Sequence, residues 1–360
     1  MKNATDWQAG GEYTYTVSLA AAKDLGYTIE SDGSYTVTSA DGLMNIAKLV
    51  NRGKSDINIT LDTDIDLTGK DWTPIGTDYD NSYKGTFDGG GHTITGLTFT
   101  TNDEYAGLFG WLNRAGTVKN VVMEGVQITS NQIYGGSIGG VVGYSWGTIE
   151  NCSVSGSVSG TVYVGGVVGA QWNGSTTGCS SSATVKGTVY VGGVVGNSDG
   201  TIENCSVSGS VSGTAYVGGV VGVQWFGSIT GCSSSATVKG MGDVGGVAGH
   251  TNADATLTAC YATGNVIIEI DPVTNISGGG LVGLNGENGV CACYATSNVT
   301  STGSSTGYVH IFGLLGDNYT TVTACYWKNN HEQGIGYNKK STEATRWTAL
   351  SLPGRKPLMP

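Results

Sequence analysis

The chain is poor in charge. Only 12% of its 360 residues are Asp, Glu, Lys or Arg, about half the share in an average globular domain. That argues against a surface of salt-bridged helices and for one of Ser, Thr, Asn and Gly. Positive charge is scarcest. Lys and Arg number 17 against 28 Asp and Glu, a net charge of −11, and no basic stripe offsets it. Nucleic acid is therefore excluded as a partner, since its binding depends on cationic groups displacing counterions. Proline is nearly missing: of 5 in the chain, none lies between Trp111 and Asp271, which suits unbroken ladder hydrogen bonding. No apolar run is long enough to cross a membrane, so no membrane insertion by this segment is expected. "MKNATDWQAGGEY" also lacks the apolar stretch of a signal peptide. The expectation is a secreted or cell-surface bacterial protein whose export signal is absent from this segment, with a cytoplasmic protein as the alternative.

Catalytic motifs are missing too. A zinc peptidase needs two imidazoles four residues apart beside a general-base Glu. His331–Glu332 continues as "QGIG", and His92, His250 and His310 lie in separate segments. No C-x2-C spacing points to structural zinc. No catalytic residue, metal or cofactor is expected. Asp62, Asp64 and Asp66 in "LDTDIDL" are placed on one strand face, which suits Ca²⁺ or acid–base chemistry, but a structural strand is the preferred reading. Elsewhere Glu150, Asp199 and Glu203 stand singly, so an active site on the central surface is not expected.

What the chain does have is a repeat. "VYVGGVVG" at Val162–Gly169 returns at Val189–Gly196 and, as "AYVGGVVG", at Ala215–Gly222. "GTIENCSVSGSVSGT" occupies both Gly147–Thr161 and Gly200–Thr214, so two unit types alternate in a 53-residue super-repeat. Degenerate copies lie at 106–110, 138–143, 244–249, 278–283 and 311–316. Each unit reads as strands. In "CSVSGSVSG", Cys152, Val154, Gly156 and Val158 alternate with serines. One unit cannot bury its apolar face, but stacked units can. Ile149, Cys152, Val154 and Val158 would lie under Ile202, Cys205, Val207 and Val211 two turns on. The repeat length suits an all-β, right-handed, single-stranded parallel β-helix. About nine turns fit between Lys84 and Trp327, on the order of 40 Å at strand spacing. The glycines of "VGGVVG" are read as allowing tight bends and keeping a narrow interior from overfilling. Three regions are expected: 1–33 as flanking or cap strands, 34–330 as the solenoid, and 331–360 as a cap or linker. "TSADGLMNIAKLVNRG" reads as a short N-terminal capping helix, with Thr38 and Asp41 in a capping box.

These residues resemble the GLUG repeat, whose core is Gly-Gly-apolar-Val-Gly and which recurs in bacterial adhesins and in non-catalytic parts of immunoglobulin A1-specific metallopeptidases. "INITLDTDIDL", "WTPIG" and "YKGTFDGGGHTITGLTF" (Ile57–Phe99) resemble what precedes such repeats in surface proteins of commensal bacteria. The resemblance covers residues 34–327. It implies a parallel β-helix on an exported cell-surface protein and says little of activity.

Cys152, Cys179, Cys205, Cys232 and Cys260 fall at spacings of 27, 26, 27 and 28. They read as an interior ladder of reduced thiols, against alternatives of partial disulfides or metal. Asn151 and Asn204, in glycosylation-type sequences, read as stacked corner residues whose side chains bond backbone.

The candidate ligand-binding residues come from register. Trp146, Trp172, Asp199 and Trp225 each stand three residues after "VVG", so the tryptophans would line one edge. Tyr163, Tyr190 and Tyr216 form a second ladder, outward because Val164, Val191 and Val217 point inward. Such rings can stack on sugars or anchor proteins; the alternative is that each Trp folds over the rung below. The expectation is a monomeric adhesive or binding module for host glycan or glycoprotein, similar to immunoglobulin A1 protease-like chains but without the peptidase motif. The alternatives are a polysaccharide-degrading β-helix enzyme, lyase or glycoside hydrolase, and a passive stalk.

Overall fold

A computed structural model describes residues 24–338, apart from 273, 274, 288 and 329, together with 344–346. The stretch 11–19, expected as a flanking strand, lies outside the described residues, as does most of the tail from 341 on.

One turn shows how the sequence folds. Within residues 163–186 the chain makes five short strands: Tyr163–Gly165, Val168–Gln171, Ser175–Thr177, Ser180–Ser181 and Thr184–Lys186. The first lies in one parallel sheet, the next two in a second and the last two in a third. Each strand pairs with its equivalents one turn away. Val164 stands between Ile138 and Val191, Thr176 between Ile149 and Ile202, and Val185 between Val158 and Val211. The pairings coil into a right-handed parallel β-helix, the hand that parallel crossovers favour. Ile59, Phe87, Val118, Ile149, Thr176, Ile202, Ile229, Leu257, Val290 and Val322 form one continuous ladder of ten rungs. Nine of them fall between Lys84 and Trp327. Strands Ile335–Asn338 and Ala344–Arg346 extend the ladders past residue 330.

The interior is mostly Val, Ile and Cys. Val164, Val191, Val217 and Val244 are fully buried in register, each side chain contributing about 1.5–3 kcal/mol. The sulfur ladder runs Cys152, Cys179, Cys205, Cys232, Cys260, Cys293 and Cys325, all free and buried. Backbone N–H groups of Cys152, Cys205, Cys232, Cys260 and Cys293 donate to the sulfur of the next rung at 3.3–3.4 Å. Those neighbouring sulfurs, and then burial, hold the Cys205 and Cys260 thiols above the ordinary range, protonated at neutral pH. Cys291 stands outside the ladder, exposed.

Several local expectations need correction. The helix Ala40–Val50 is capped by Ser39, whose Oγ accepts from Gly42 N, rather than by Thr38. It buries Leu43, Ile46, Ala47 and Val50 in the common core. Asp62, Asp64 and Asp66 do not share a strand face, because the strand Ile59–Leu61 ends before Asp62. Asp64 instead accepts from Thr93 N, and Asp66 from Thr68 N. Gly156 is not an inward residue. It is exposed at φ 110°, where the serine strand bends.

The corner glycines serve space rather than backbone freedom. Gly166, Gly193, Gly219 and Gly246 are not among the positive-φ residues. A Cβ on each would lie 2.1, 2.2, 2.0 and 2.2 Å from the carbonyl oxygen of Gly193, Gly219, Gly246 and Gly280, respectively.

Left-handed backbone falls at another corner, just before each ladder cysteine. Asn151 and Asn204 have φ 51° and 52°, Gly178 and Gly231 φ 65°, and Ala259, Ala292 and Ala324 φ 54°, 55° and 52°. Backbone conformation, which Asn and Gly tolerate, accounts for the corner asparagines. Ala259, Ala292 and Ala324 are exposed, so removing their methyls loses no packing. Ala292→Gly is expected to raise stability by about 0.5–1 kcal/mol, the left-handed penalty less the entropy Gly adds to the unfolded chain. A urea midpoint at or below wild type would contradict this.

Candidate functional site

The two aromatic ladders are sides of one groove. Its cause is the last glycine of each core. A Cβ on Gly196 would lie 2.6 Å from Val164 N and 2.7 Å from Tyr190 O. The bare glycine brings the strand after the corner against the strands before it, and the surface folds inward there. Residues seven apart, one on each side of the core, then face each other. Asp243 meets His250 and His310 meets Asp317 in this way, and by ladder register the same two positions are held by Tyr163 and Ala170, Tyr190 and Asn197, Tyr216 and Val223, and Ser277 and Leu284. Ala170, Asn197 and Val223 are almost fully buried yet stand apart from the interior core. They floor the groove beneath the tyrosines.

The tyrosine wall is a stack. Ring centroids lie 5.2 Å apart between Tyr163 and Tyr190 and 5.1 Å between Tyr190 and Tyr216, with planes within 17° and 8°. The rings face one another along the helix axis, so what they present to a ligand is ring edges and a row of hydroxyls, not open faces. Tyr190 and Tyr216 hold φ 55°, a conformation rare for a bulky residue and concentrated at functional positions. Burial raises the Tyr163 and Tyr216 phenol pKa values, keeping both as donors.

The tryptophans occupy the opposite lip, in the expected register: the backbone N–H groups of Trp146, Trp172 and Asp199 donate to Ser145's and Gln171's ladder on the preceding turn, at Leu112, Ser145 and Gln171 respectively. Their side chains diverge. Trp146 packs against Tyr79, Trp111 and Tyr144, and its Nε1 donates to Tyr144 Oη at 3.3 Å. Trp225 Nε1 donates to Asn197 Oδ1 at 2.7 Å, and its ring lies 6.4 Å from His250, which Tyr216 also meets edge-on at 5.6 Å. Trp172 is the open one, 40% exposed. Trp146 and Trp225 thus fold onto neighbours, while Trp172 keeps ring surface for a ligand.

Asp199 stands between Trp172 and Trp225 on this lip. Its Oδ1 is buried and makes no hydrogen bond within the protein. Burial raises its pKa above the ordinary 3.8. A raised carboxyl pKa means that the folded state binds the proton more tightly than the unfolded one. Ionisation therefore opposes folding as pH rises from the ordinary value through the raised one. Asp199→Asn is expected to raise the thermal midpoint at pH 7, with the gain vanishing towards pH 3. An equal gain at both pH values would contradict a charge origin.

Sequence reasoning missed the far end of the groove. His250 Nδ1 lies 2.8 Å from Asp243 Oδ2, and His310 Nδ1 lies 2.6 Å from Asp317 Oδ1. Ser277 Oγ donates to Asp317 Oδ2 at 2.6 Å. The signal was present, as "DVGGVAGH" and "HIFGLLGD" place Asp and His seven apart across the core. It had no meaning until the corner was known to fold inward. Among the described residues, no cluster of three or more His, Cys, Asp or Glu is arranged to hold a metal.

The GLUG motif family matches residues 134–159, 160–186, 187–212 and 213–239. Halomucin of Haloquadratum walsbyi is 39% identical over 102 residues, which are 28% of this chain and 1% of that protein. A Gly-rich membrane protein of Evansella cellulosilytica is 33% identical over 132 residues, 34% of this chain and 14% of that one. The chain thus spans a small part of either relative. A Bacteroides ovatus crystal structure, assigned as an immunoglobulin A1 protease, aligns at a TM-score of 0.49 and 17% identity, covering 88% of this chain and 85% of that one. The degenerate cores outside the family match keep its register, with Val244, Gly278 and Ile311 stacked in turn below Val217. Residues 134–239 match the GLUG motif four times in succession, within a longer solenoid that continues their ladders on both sides.

Proposed function

We propose that the chain is a surface-displayed binding module that holds an extended glycan along the groove without cleaving it. The observation that carries this reading is Asp199, a carboxylate with an unbonded buried oxygen between Trp172 and Trp225 on one lip. An acceptor flanked by aromatic surface suits a ligand of hydroxyls and apolar ring faces. The rings of Tyr163, Tyr190 and Tyr216 repeat at 5.2 and 5.1 Å on the facing wall, the scale of one extended sugar unit. A protein ligand is the other outcome considered. The surface setting is favoured by relatives named Halomucin and a Gly-rich membrane protein.

The test is a glycan array, with immunoglobulin A1 and other glycoproteins as a second panel, probed with the purified chain. The account expects glycan binding, intact ligands afterwards, and loss of binding in a Trp172→Ala, Asp199→Ala variant that still folds. Binding only to deglycosylated protein, or unchanged binding by the variant, would overturn it.

A further inference from the structure

Beyond the tyrosine stack, the groove opens into two adjoining clefts. One, of about 220 Å³, is lined by Tyr216, Met241, Asp243, Asp271 and Asn275 among others. The next, of about 540 Å³, is lined by Asp243, Ser277, Leu284, Tyr308, His310 and Asp317, with Asn275 again on its wall. Asp243 and Asn275 belong to both, so the clefts are consecutive along the groove.

The larger cleft has the chemistry of a sugar subsite. Its floor includes Leu284 and Ile276, and Tyr308, 71% exposed, stands at its mouth as an aromatic platform. Polar groups converge from both walls, and their orientations are fixed. Asp317 accepts from Ser277 Oγ and faces His310 Nδ1, while Asp243 Oδ2 faces His250 Nδ1. Among the described residues, neither cleft is lined by Lys or Arg. The imidazoles of His250 and His310 are each paired with a carboxylate. A sugar carboxylate or sulfate would therefore enter beside the carboxylates of Asp243 and Asp317, and like charges there disfavour binding.

We infer that the clefts between Tyr216 and Asp317 form a two-residue subsite for uncharged pyranose units, with Tyr308 stacking on one ring and Asp243 accepting hydroxyl hydrogen bonds, and that acidic sugars are excluded. This rests on the glycan reading of the groove and adds its place of strongest contact and its ligand class.

The test is titration calorimetry of the purified chain with four tetrasaccharides: cellotetraose, mannotetraose, tetra-N-acetylchitotetraose and tetragalacturonate. At least one neutral probe is expected to bind and tetragalacturonate not to. Tyr308→Ala, at an exposed position, and Asp243→Asn, which preserves shape, are each expected to weaken the neutral probe about tenfold or more, with circular dichroism unchanged. Tetragalacturonate binding as tightly as the neutral probes would overturn the ligand class. Neutral binding that survives both substitutions but is lost in Trp172→Ala would overturn the subsite and leave the groove reading standing. Binding of none of the four would count against both.

Discussion

Gly193→Val is expected to destroy the fold locally and cost about 4 kcal/mol or more, the range reserved for severe core disruption. The first added carbon would sit 2.2 Å from the carbonyl oxygen of Gly219 and 2.5 Å from a methyl of Val207. Backbone oxygen cannot move aside as a side-chain tip can, and this oxygen is committed, because Gly193 N donates to it at 3.1 Å. Relief requires parting two rungs, and interiors packed to crystal density do not absorb that. Neighbouring turns approach equally closely at Gly166, Gly219 and Gly246, so the strain has no slack rung to move into. Gly289→Ala is the control, because among the described residues the only atom near its added carbon is Thr321 O at 3.7 Å. Its effect should stay within about 0.5 kcal/mol. Denaturation midpoints of the two variants test the contrast. Similar midpoints would refute the spatial account of the corner glycines.

The second large effect concerns register. Deleting residues 187–212 removes one GLUG unit and joins Lys186 to Gly213. The junction reads "TVKGTAYVGG", nearly the native "TVKGTVYVGG". Val164 would then stack directly on Val217, a contact of the same kind as the native pairs of Val164 with Val191 and Val191 with Val217. Solenoid stability is roughly a sum over units and their interfaces, so the shortened chain should fold, with a stack about 4.8 Å shorter. Deleting residues 187–199 removes half a turn. It takes away one corner with the strands on both sides of it, Val189–Gly192 and Val195–Ser198, and leaves Thr201–Glu203 with no closed turn behind it. This variant should not form a soluble folded species. Circular dichroism and small-angle scattering distinguish them, and equal damage from both deletions would contradict independent stacking of turns.

The parallel β-helix was legible because the repeats are nearly identical. Ile149 and Ile202 fall in like surroundings, and only stacking buries both. The corner glycines were legible as necessary but not in their reason, because φ and crowding leave the same mark on a sequence. The interior polar ladder of Ser145, Gln171, Ser198, Gln224, Thr251, Asn285 and Asn318, all buried, went unread, because simple alternation expects apolar residues inside. Its side chains bond one another and the corner backbone. Asn285 Nδ2 donates to Asn318 Oδ1 at 2.8 Å, and Gln171 Nε2 to Thr201 O at 3.1 Å.

The site was legible in part. Register alone placed the tryptophans on one edge and the tyrosines on another. That the two edges face each other depends on the angle between sheets, which no single repeat encodes. The direction of each indole depends on a neighbour that differs between turns. Trp146 turns to Tyr144 two residues back on its own turn, and Trp225 to Asn197 on the preceding turn; for Trp172 the first position holds Ala170, which offers no polar partner, and the second holds Tyr144, whose hydroxyl already accepts from Trp146.

The central claim is that ligand enters the groove. The indole N–H resonances of the chain's 8 tryptophans, assigned by single Trp→Phe substitutions, report on it directly when a bound neutral oligosaccharide is titrated in. The account predicts shifts at Trp172 and Trp225, with Trp72 and Trp327 unmoved. Shifts confined to tryptophans away from the groove, or binding with none at Trp172, would contradict it.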